Sequence, residues 1–328
     1  MRSVRIAAWG GPEVLQLRDM PKEAPGPGEI RLRVRAIGIN RTEITLRSGR
    51  SPNKPALPTK IGFEAAGEVD ALGSGVGGLT VGDRVALLPA YGAADYGLYG
   101  EYALAPLRSV VAVPESVDFT TAAAMWVPFG TAWAGLIQHG RIARGQQVLI
   151  TAASSSVGLA AIQIARHEGT RVIAVTRSPE KSQALREHGA DEVIVLERQS
   201  LDKAVSELTG GTGVDLVFDP VGGADFAALT ELTAVGGTLV LYGALGQGLA
   251  TLSPFAVLGR ALTIRGLSLT RVTRDDGQRA ELIRYVTTGF ARGLFKTTIA
   301  KTFKLDDIAA AHRYVEAGGQ VGKVVVTV

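Results

Sequence analysis

Cysteine is absent from the 328 residues. Its absence excludes a disulfide framework, every thiolate zinc site and a cysteine nucleophile. Histidine is scarce: His139, His167, His188 and His312 are the only four, and no two have zinc-ligand spacing. They read as surface or helix residues, and no metal is expected. Long apolar runs are also missing. The longest, from Val148 to Ala165, is interrupted by Thr151, three serines and Gln163, too polar for a membrane span. The start, Met1 to Ile6, lacks the apolar stretch of a leader. Lys and Arg exceed Asp and Glu by 35 to 31, but the arginines are scattered and no aromatic–basic motif accompanies them. Nucleic acid is therefore not an expected partner. A soluble cytoplasmic protein with no membrane contact is the expectation.

What is present falls into two rhythms. Up to about residue 120 the chain shows short strands between turns. Arg31 to Ala36 alternates charged and apolar residues after the turn cluster Pro25–Gly28, and Gly67–Gly73 and Asp83–Leu88 continue the pattern. Strands without long helices between them predict an antiparallel, partly closed β-barrel. From about residue 125 strands and helices alternate. Apolar strands at 147–152, 171–175, 192–195, 214–218, 238–242 and 262–265 are separated by helices at 157–167, 179–188, 201–208 and 224–232. This is the pattern of an α/β doubly wound parallel sheet. A helix over 277–288 and a strand over 323–328 are expected to return to the first domain. The expected domains are 1–122 completed by 267–328, and 123–266.

The first strand–helix turn of the second domain runs from Thr151 to Gly158. A dinucleotide site needs a tight turn there, a close backbone approach to the diphosphate and close helix–strand packing. Against a G-x-G-x-x-G pattern the key positions are Ala153, Ser155 and Gly158. Ser154, Ser155, Ser156, Val157 and Gly158 are therefore the candidate phosphate cradle, with serine hydroxyls standing in for lost glycine N–H access. An ordinary turn rich in small residues is the alternative. The second strand ends in Thr176 and Arg177, with Lys181 a turn further on and no acid at the tip. An acid would hold a ribose 2′-hydroxyl, whereas Arg and Lys pair with a 2′-phosphate. The expected cofactor is NADP(H), unless Arg177 and Lys181 are simply a solvated helix start.

At this point the chain resembles the medium-chain dehydrogenase/reductase superfamily, in its zinc-free quinone oxidoreductase (zeta-crystallin-like) branch. The resemblance runs through Gly28–Val34, Gly38–Glu43, Gly62–Gly67, Val81–Val85, Gly100–Tyr102, Ala152–Gly158, Asp215–Gly223 and Gly322–Val326, in that order. It implies a GroES-like catalytic domain, a Rossmann domain and an active site in the cleft between them. Zinc-dependent relatives carry a histidine in a Gly-His-Glu motif where this chain has Phe63, and a ligand cysteine where it has Asn40. They also carry a four-cysteine lobe where it has the loop Pro89–Tyr99. Without zinc nothing polarises an alcohol. The resemblance thus implies hydride transfer from NADPH to an electron-poor acceptor. It also implies that Thr131, Gly243 and Ala244 line the cofactor, and that subunits pair through the Rossmann edge, here Leu262–Leu269, as a homodimer.

The acceptor's developing oxyanion calls for a donor. The candidates are Asn40, Thr45 (where many relatives place a tyrosine) and the tyrosines between Tyr91 and Tyr99, with Tyr96 and Tyr99 as a gate. Asn40 could equally cap its turn. Phe63 is an expected apolar wall or plain core. A quinone is the expected acceptor. An enone or 2-alkenal reductase, a polyketide-type enoyl reductase and an NADPH-binding protein without turnover remain open.

Overall fold

The computed structural model describes residues 1–52, 54–92, 95–246 and 248–328. Residues 93 and 94 of the Pro89–Tyr99 loop lie outside the described residues. The chain divides into two compact units. Unit 1 comprises Met1–Val127, Thr270–Ile283 and Thr297–Val328; unit 2 comprises Pro128–Leu269 and Arg284–Lys296.

In unit 1, β1 (Arg2–Ile6) and β2 (Leu15–Asp19) form an antiparallel pair. β3 (Glu29–Ile39) is the organising strand of a larger sheet. Its alternation buries Ile30, Leu32, Val34 and Ala36 and turns Arg31, Arg33 and Arg35 outward, as the sequence pattern requires. β4 (Ala65–Leu72), β5 (Arg84–Leu87), β6 (Tyr102–Pro106) and β7 (Val110–Ala112) follow in the chain. In unit 2, β8 (Gln147–Ile150), β9 (Arg171–Thr176), β10 (Glu192–Val195), β11 (Val214–Asp219), β12 (Thr233–Leu241) and β13 (Thr263–Gly266) alternate with helices. The chain closes in unit 1 with β14 (Ile299–Lys304) and β15 (Lys323–Thr327).

The strand order in unit 1 is β14-β15-β3-β4-β5-β7, with β6 also on β3. All its pairings are antiparallel except β14 with β15. Register sets up the site. Val324 lies opposite Ile39 and Ala65 opposite Ile37. One step beyond those pairs, Lys323 stands across from Asn40 and Glu64 across from Gly38. The end of β3 is thus flanked by a lysine on one side and a glutamate on the other. The core beneath it is aliphatic, including Ile30, Leu32, Ile37, Val69, Leu87, Val324 and Val326.

Unit 2 has the order β10-β9-β8-β11-β12-β13, every pairing parallel. The strand order reverses at β8, with β9 and β10 added on one side and β11, β12 and β13 on the other, so the loops at the ends of β8, β9, β11 and β12 border the switch point where such sheets bind ligands. The helix Ser156–His167 buries Leu159, Ile162 and Ile164, the face its periodicity marked. Two expectations change. The tail after residue 267 does not return whole to the first domain. Arg284–Lys296 belongs to unit 2, where Phe290 and Phe295 pack on Phe129 at 4.9 and 5.3 Å and Gln163 exchanges two hydrogen bonds with Lys296. The edge strand read as Leu262–Leu269 ends at Gly266, and a helix begins at Leu269. Among the described residues no helix is long and apolar enough to cross a membrane.

Candidate active site

In unit 2 the candidate site is built on the turn after β8. Ala152 takes a left-handed conformation, φ 45°, to start the turn. Ser155 then caps the helix: its hydroxyl oxygen accepts the N–H of Gly158 at 3.0 Å. Ser155 thus acts first as an acceptor, not only as the phosphate donor expected of it. Gly158 is required by packing, because a Cβ there would lie 2.4 Å from the Ala153 carbonyl oxygen. Ser154, Ser156 and Val157, half-buried, complete the cradle around the helix start, where unpaired N–H groups and the helix dipole favour an anion. Gly243 lies on the other side, and a Cβ there would come 2.6 Å from the Pro220 carbonyl; Ala244 beside it is exposed. Thr131 is buried on the helix Trp126–Trp133.

At the end of β9, Thr176 is buried and Arg177 exposed. Burial, together with the nearby Arg177 guanidinium, lowers the Lys181 pKa. Two cations therefore sit within electrostatic reach of one another, with the Glu180 carboxylate opposing the effect at Lys181. Two further residues at the switch point carried no assignment from sequence. Asp219, at the end of β11, is buried and accepts from the Thr151 hydroxyl and, at 2.7 Å, from the Gly222 N–H. It ties the β8 and β11 loops together, and its pKa is raised by burial against those hydrogen bonds. Tyr242 stacks on Phe218 at 4.1 Å. Its buried hydroxyl lies beside Ser155 and Asp219, with no well-formed hydrogen bond to satisfy it. Burial first, and Asp219 second, raise its pKa.

In unit 1 a closed polar network lies at the end of β3. Lys323 Nζ donates to Asn40 Oδ1 at 2.5 Å and to Glu64 Oε2 at 2.6 Å. An ammonium has only donors, so the Asn40 oxygen must face it. The Asn40 amide nitrogen then donates to the Gly38 carbonyl at 3.2 Å and to Glu43 Oε1 at 3.3 Å. Glu43 also accepts the backbone N–H groups of Asn40 at 2.9 Å and Phe63 at 3.2 Å. Glu64 Oε1 accepts the Val127 N–H at 2.9 Å. Glu43 and Glu64 are fully buried and Lys323 is 2% exposed. Gly38 makes the arrangement possible: a Cβ there would lie 2.0 Å from the Ala123 carbonyl, 2.8 Å from Lys323 Cε and 2.9 Å from Glu64 Oε2. Burial raises the Glu43 pKa to about 7, opposed chiefly by the Lys323 charge.

This geometry corrects the donor assignments. Both amide hydrogens of Asn40 are taken, so it is a link in the network, at the start of the helix Arg41–Arg47, and not a free donor. The Thr45 hydroxyl hydrogen bonds back to the Arg41 carbonyl at 3.1 Å. Tyr91 reaches the Phe63 carbonyl at 3.4 Å and Tyr96 donates to Glu29 at 2.6 Å. Tyr99 is core, 1% exposed, with its hydroxyl 3.1 Å from the buried His312, so it cannot be a gate. Phe63 is buried and lies parallel to Tyr91, ring centres 6.5 Å apart.

Two family models and many known proteins match this chain. Residues 26–115 match the alcohol dehydrogenase GroES-like domain, and residues 156–285 match the zinc-binding dehydrogenase family. A quinone oxidoreductase of Pseudomonas aeruginosa is 35% identical over 99% of this chain and 98% of its own. The chain is a member of the medium-chain dehydrogenase/reductase superfamily, in its quinone oxidoreductase branch. The quinone oxidoreductase of Rattus norvegicus is 31% identical over 99% of this chain and 97% of its own. The Escherichia coli quinone oxidoreductase, solved in complex with NADPH, superposes with a TM-score of 0.93 at 27% identity over 100% of both chains. In this member of the superfamily, the Asn40 and Glu64 oxygens are already held by the Lys323 ammonium.

Proposed function

We propose that this protein is an NADPH-dependent, zinc-independent oxidoreductase that reduces a quinone. The observation that carries the reading is the end of β9, where the strand runs into Thr176 and an exposed Arg177, with Lys181 a turn further on, and not into the acid that would hold a ribose 2′-hydroxyl. Two further observations support the cofactor: Gly158, in the first turn of the helix Ser156–His167, has no room for a side chain, and the Tyr242 hydroxyl after β12 is buried without a well-formed hydrogen bond. Ser154 to Gly158 would hold the diphosphate, and Arg177 with Lys181 the 2′-phosphate. Thr131, Gly243 and Ala244 would hold the nicotinamide riboside. Bound NADPH supplies a hydride, which a quinone accepts without a metal because the charge delocalises onto oxygen. Phe63 stacked with Tyr91 offers a dry wall that orients an aromatic acceptor and excludes water. With the Asn40 and Thr45 hydrogens taken up, neither donates to the product oxygen, whose proton comes from solvent after the hydride step.

Loss of NADPH absorbance with a quinone panel and an enone panel tests this. Turnover of quinones is expected. Turnover of enones alone reassigns the protein to double-bond reduction, and cofactor binding without turnover on either panel makes it a binder.

We also infer that two copies pair along β13. All four residues of that edge strand are exposed, and Phe255, Leu258, Leu249 and Val235 in the same unit are at least 75% exposed. An open edge beside exposed apolar side chains invites two-fold pairing. Light scattering at micromolar concentration is expected to give twice the chain mass; a monomer would refute the pairing.

A further inference from the structure

Glu64 and Lys323 flank β3 from opposite sides, about two strand spacings or roughly 10 Å apart at the backbone. They meet only because Gly38 between them has no side chain. Such a pair is a poor route to stability, since well-packed apolar residues of similar size usually serve as well or better. The following residues of β15, Val324, Val325 and Val326, are the apolar kind that would suffice. The contacts indicate what the pair achieves instead. One Glu64 oxygen takes the Val127 N–H in the first turn of the helix Trp126–Trp133, where N–H groups lack helical partners and a negative charge is favoured. Thr131 lies four residues on, on the same helix face. Through Asn40, Lys323 also reaches Glu43, which holds the Phe63 N–H.

We propose that Lys323 is a positioning residue for the reduction site. Its ammonium orients Glu64, and thereby the helix carrying Thr131, and it fixes the Asn40–Glu43 link that holds the Phe63 wall. The proposal rests on the reading that Thr131 meets the cofactor and Phe63 the acceptor.

The test uses the full chain. Lys323→Met alone leaves Glu64 a buried, unpaired carboxylate and is expected to unfold readily. The double variant Lys323→Met, Glu64→Leu removes both charges and is expected to regain most of the lost thermal stability. It is nevertheless expected to bind NADPH and NADH about tenfold more weakly, with their ratio unchanged, because the 2′-phosphate end is untouched. Its KM for quinone should rise as well. Should the double variant fail to fold, Glu64→Gln decides, since it keeps the side-chain shape but cannot accept from Lys323 and Val127 together. Its affinity for both cofactors should fall at least about fivefold. Wild-type affinity for both cofactors in either folded variant would overturn the proposal. Cofactor binding is read by fluorescence titration without turnover. A wild-type protein that binds NADPH but reduces no acceptor would therefore remove the quinone reading while leaving this test intact.

Discussion

The ends of β3 and β8 both gather polar groups, and they hold them in opposite ways. Around β8 the turn is half-buried, Arg177 after β9 is exposed, and the Tyr242 hydroxyl after β12 lacks a well-formed bond. At β3 every participant is buried, and lysine, amide and carboxylates satisfy one another. The first arrangement is partly open to solvent. The second is complete already, so its influence on function is through geometry and not through a free donor.

The comparison can be broken at its tightest point. Gly38→Ala would drive a methyl group against the Ala123 carbonyl, which is main chain and cannot swing aside. A loss of about 3 kcal/mol in unfolding free energy is expected by denaturant titration, at the upper end of ordinary overpacking. A loss under about 0.5 kcal/mol would mean the network is looser than described.

The open half should respond in affinity instead. Arg177→Ala removes a charge-assisted hydrogen bond of about 1.5–3 kcal/mol. It should weaken NADPH binding by roughly tenfold to a hundredfold while leaving NADH nearly unaffected. Lys181→Ala should act in the same direction but less, since its ammonium is the more mobile group. An unchanged NADPH-to-NADH ratio in Arg177→Ala would mean the 2′-phosphate is held elsewhere.

The closed half should also reveal itself through pH. Glu43 has its carboxyl raised from 4.5 to about 7 by burial, with Lys323, Glu64, Tyr91 and Tyr99 the charged and titratable groups around it. Between those values the folded protein keeps a proton that the unfolded chain has released. Stability is therefore lost as pH rises from about 4.5 to about 7, on the order of 3 kcal/mol. Glu43→Gln should flatten that slope in urea titrations across the window, and an identical slope in both proteins would refute the assignment. The smallest effect is expected at Thr45, whose hydroxyl serves its own helix. Thr45→Val should leave kcat within about twofold, and a loss of a hundredfold would restore it as a proton donor.

Much of the fold was legible because its periods are clean. Arg31 to Ala36 alternates with a period of two, and Val157 to His167 shows a helical stripe, and both segments form as read. The helix Trp126–Trp133 and its continuation to His139 were not read. Its run is apolar on nearly all sides, so no stripe stands out. The turn after β8 was equally legible as a turn, because its small residues are contiguous. The network half was not. Asn40 and Phe63 were singled out, but the meaning of Lys323 was hidden among three valines. The one available signal was a lone charge opening a strand otherwise fit for the core.

The sequence by itself determined the two-rhythm architecture, the absence of thiolate ligands and the basic tip of β9, since each depends on neighbouring residues or on composition. Only the tertiary structure decided that Asn40 has no hydrogen to give, that Glu64 and Lys323 meet, and that Gly38 allows it. Those facts depend on β4 and β15 pairing with opposite edges of β3 in one register. Such long-range pairing brings together residues more than 250 positions apart, as in the Lys323–Glu64 contact, and no local pattern in the chain records it.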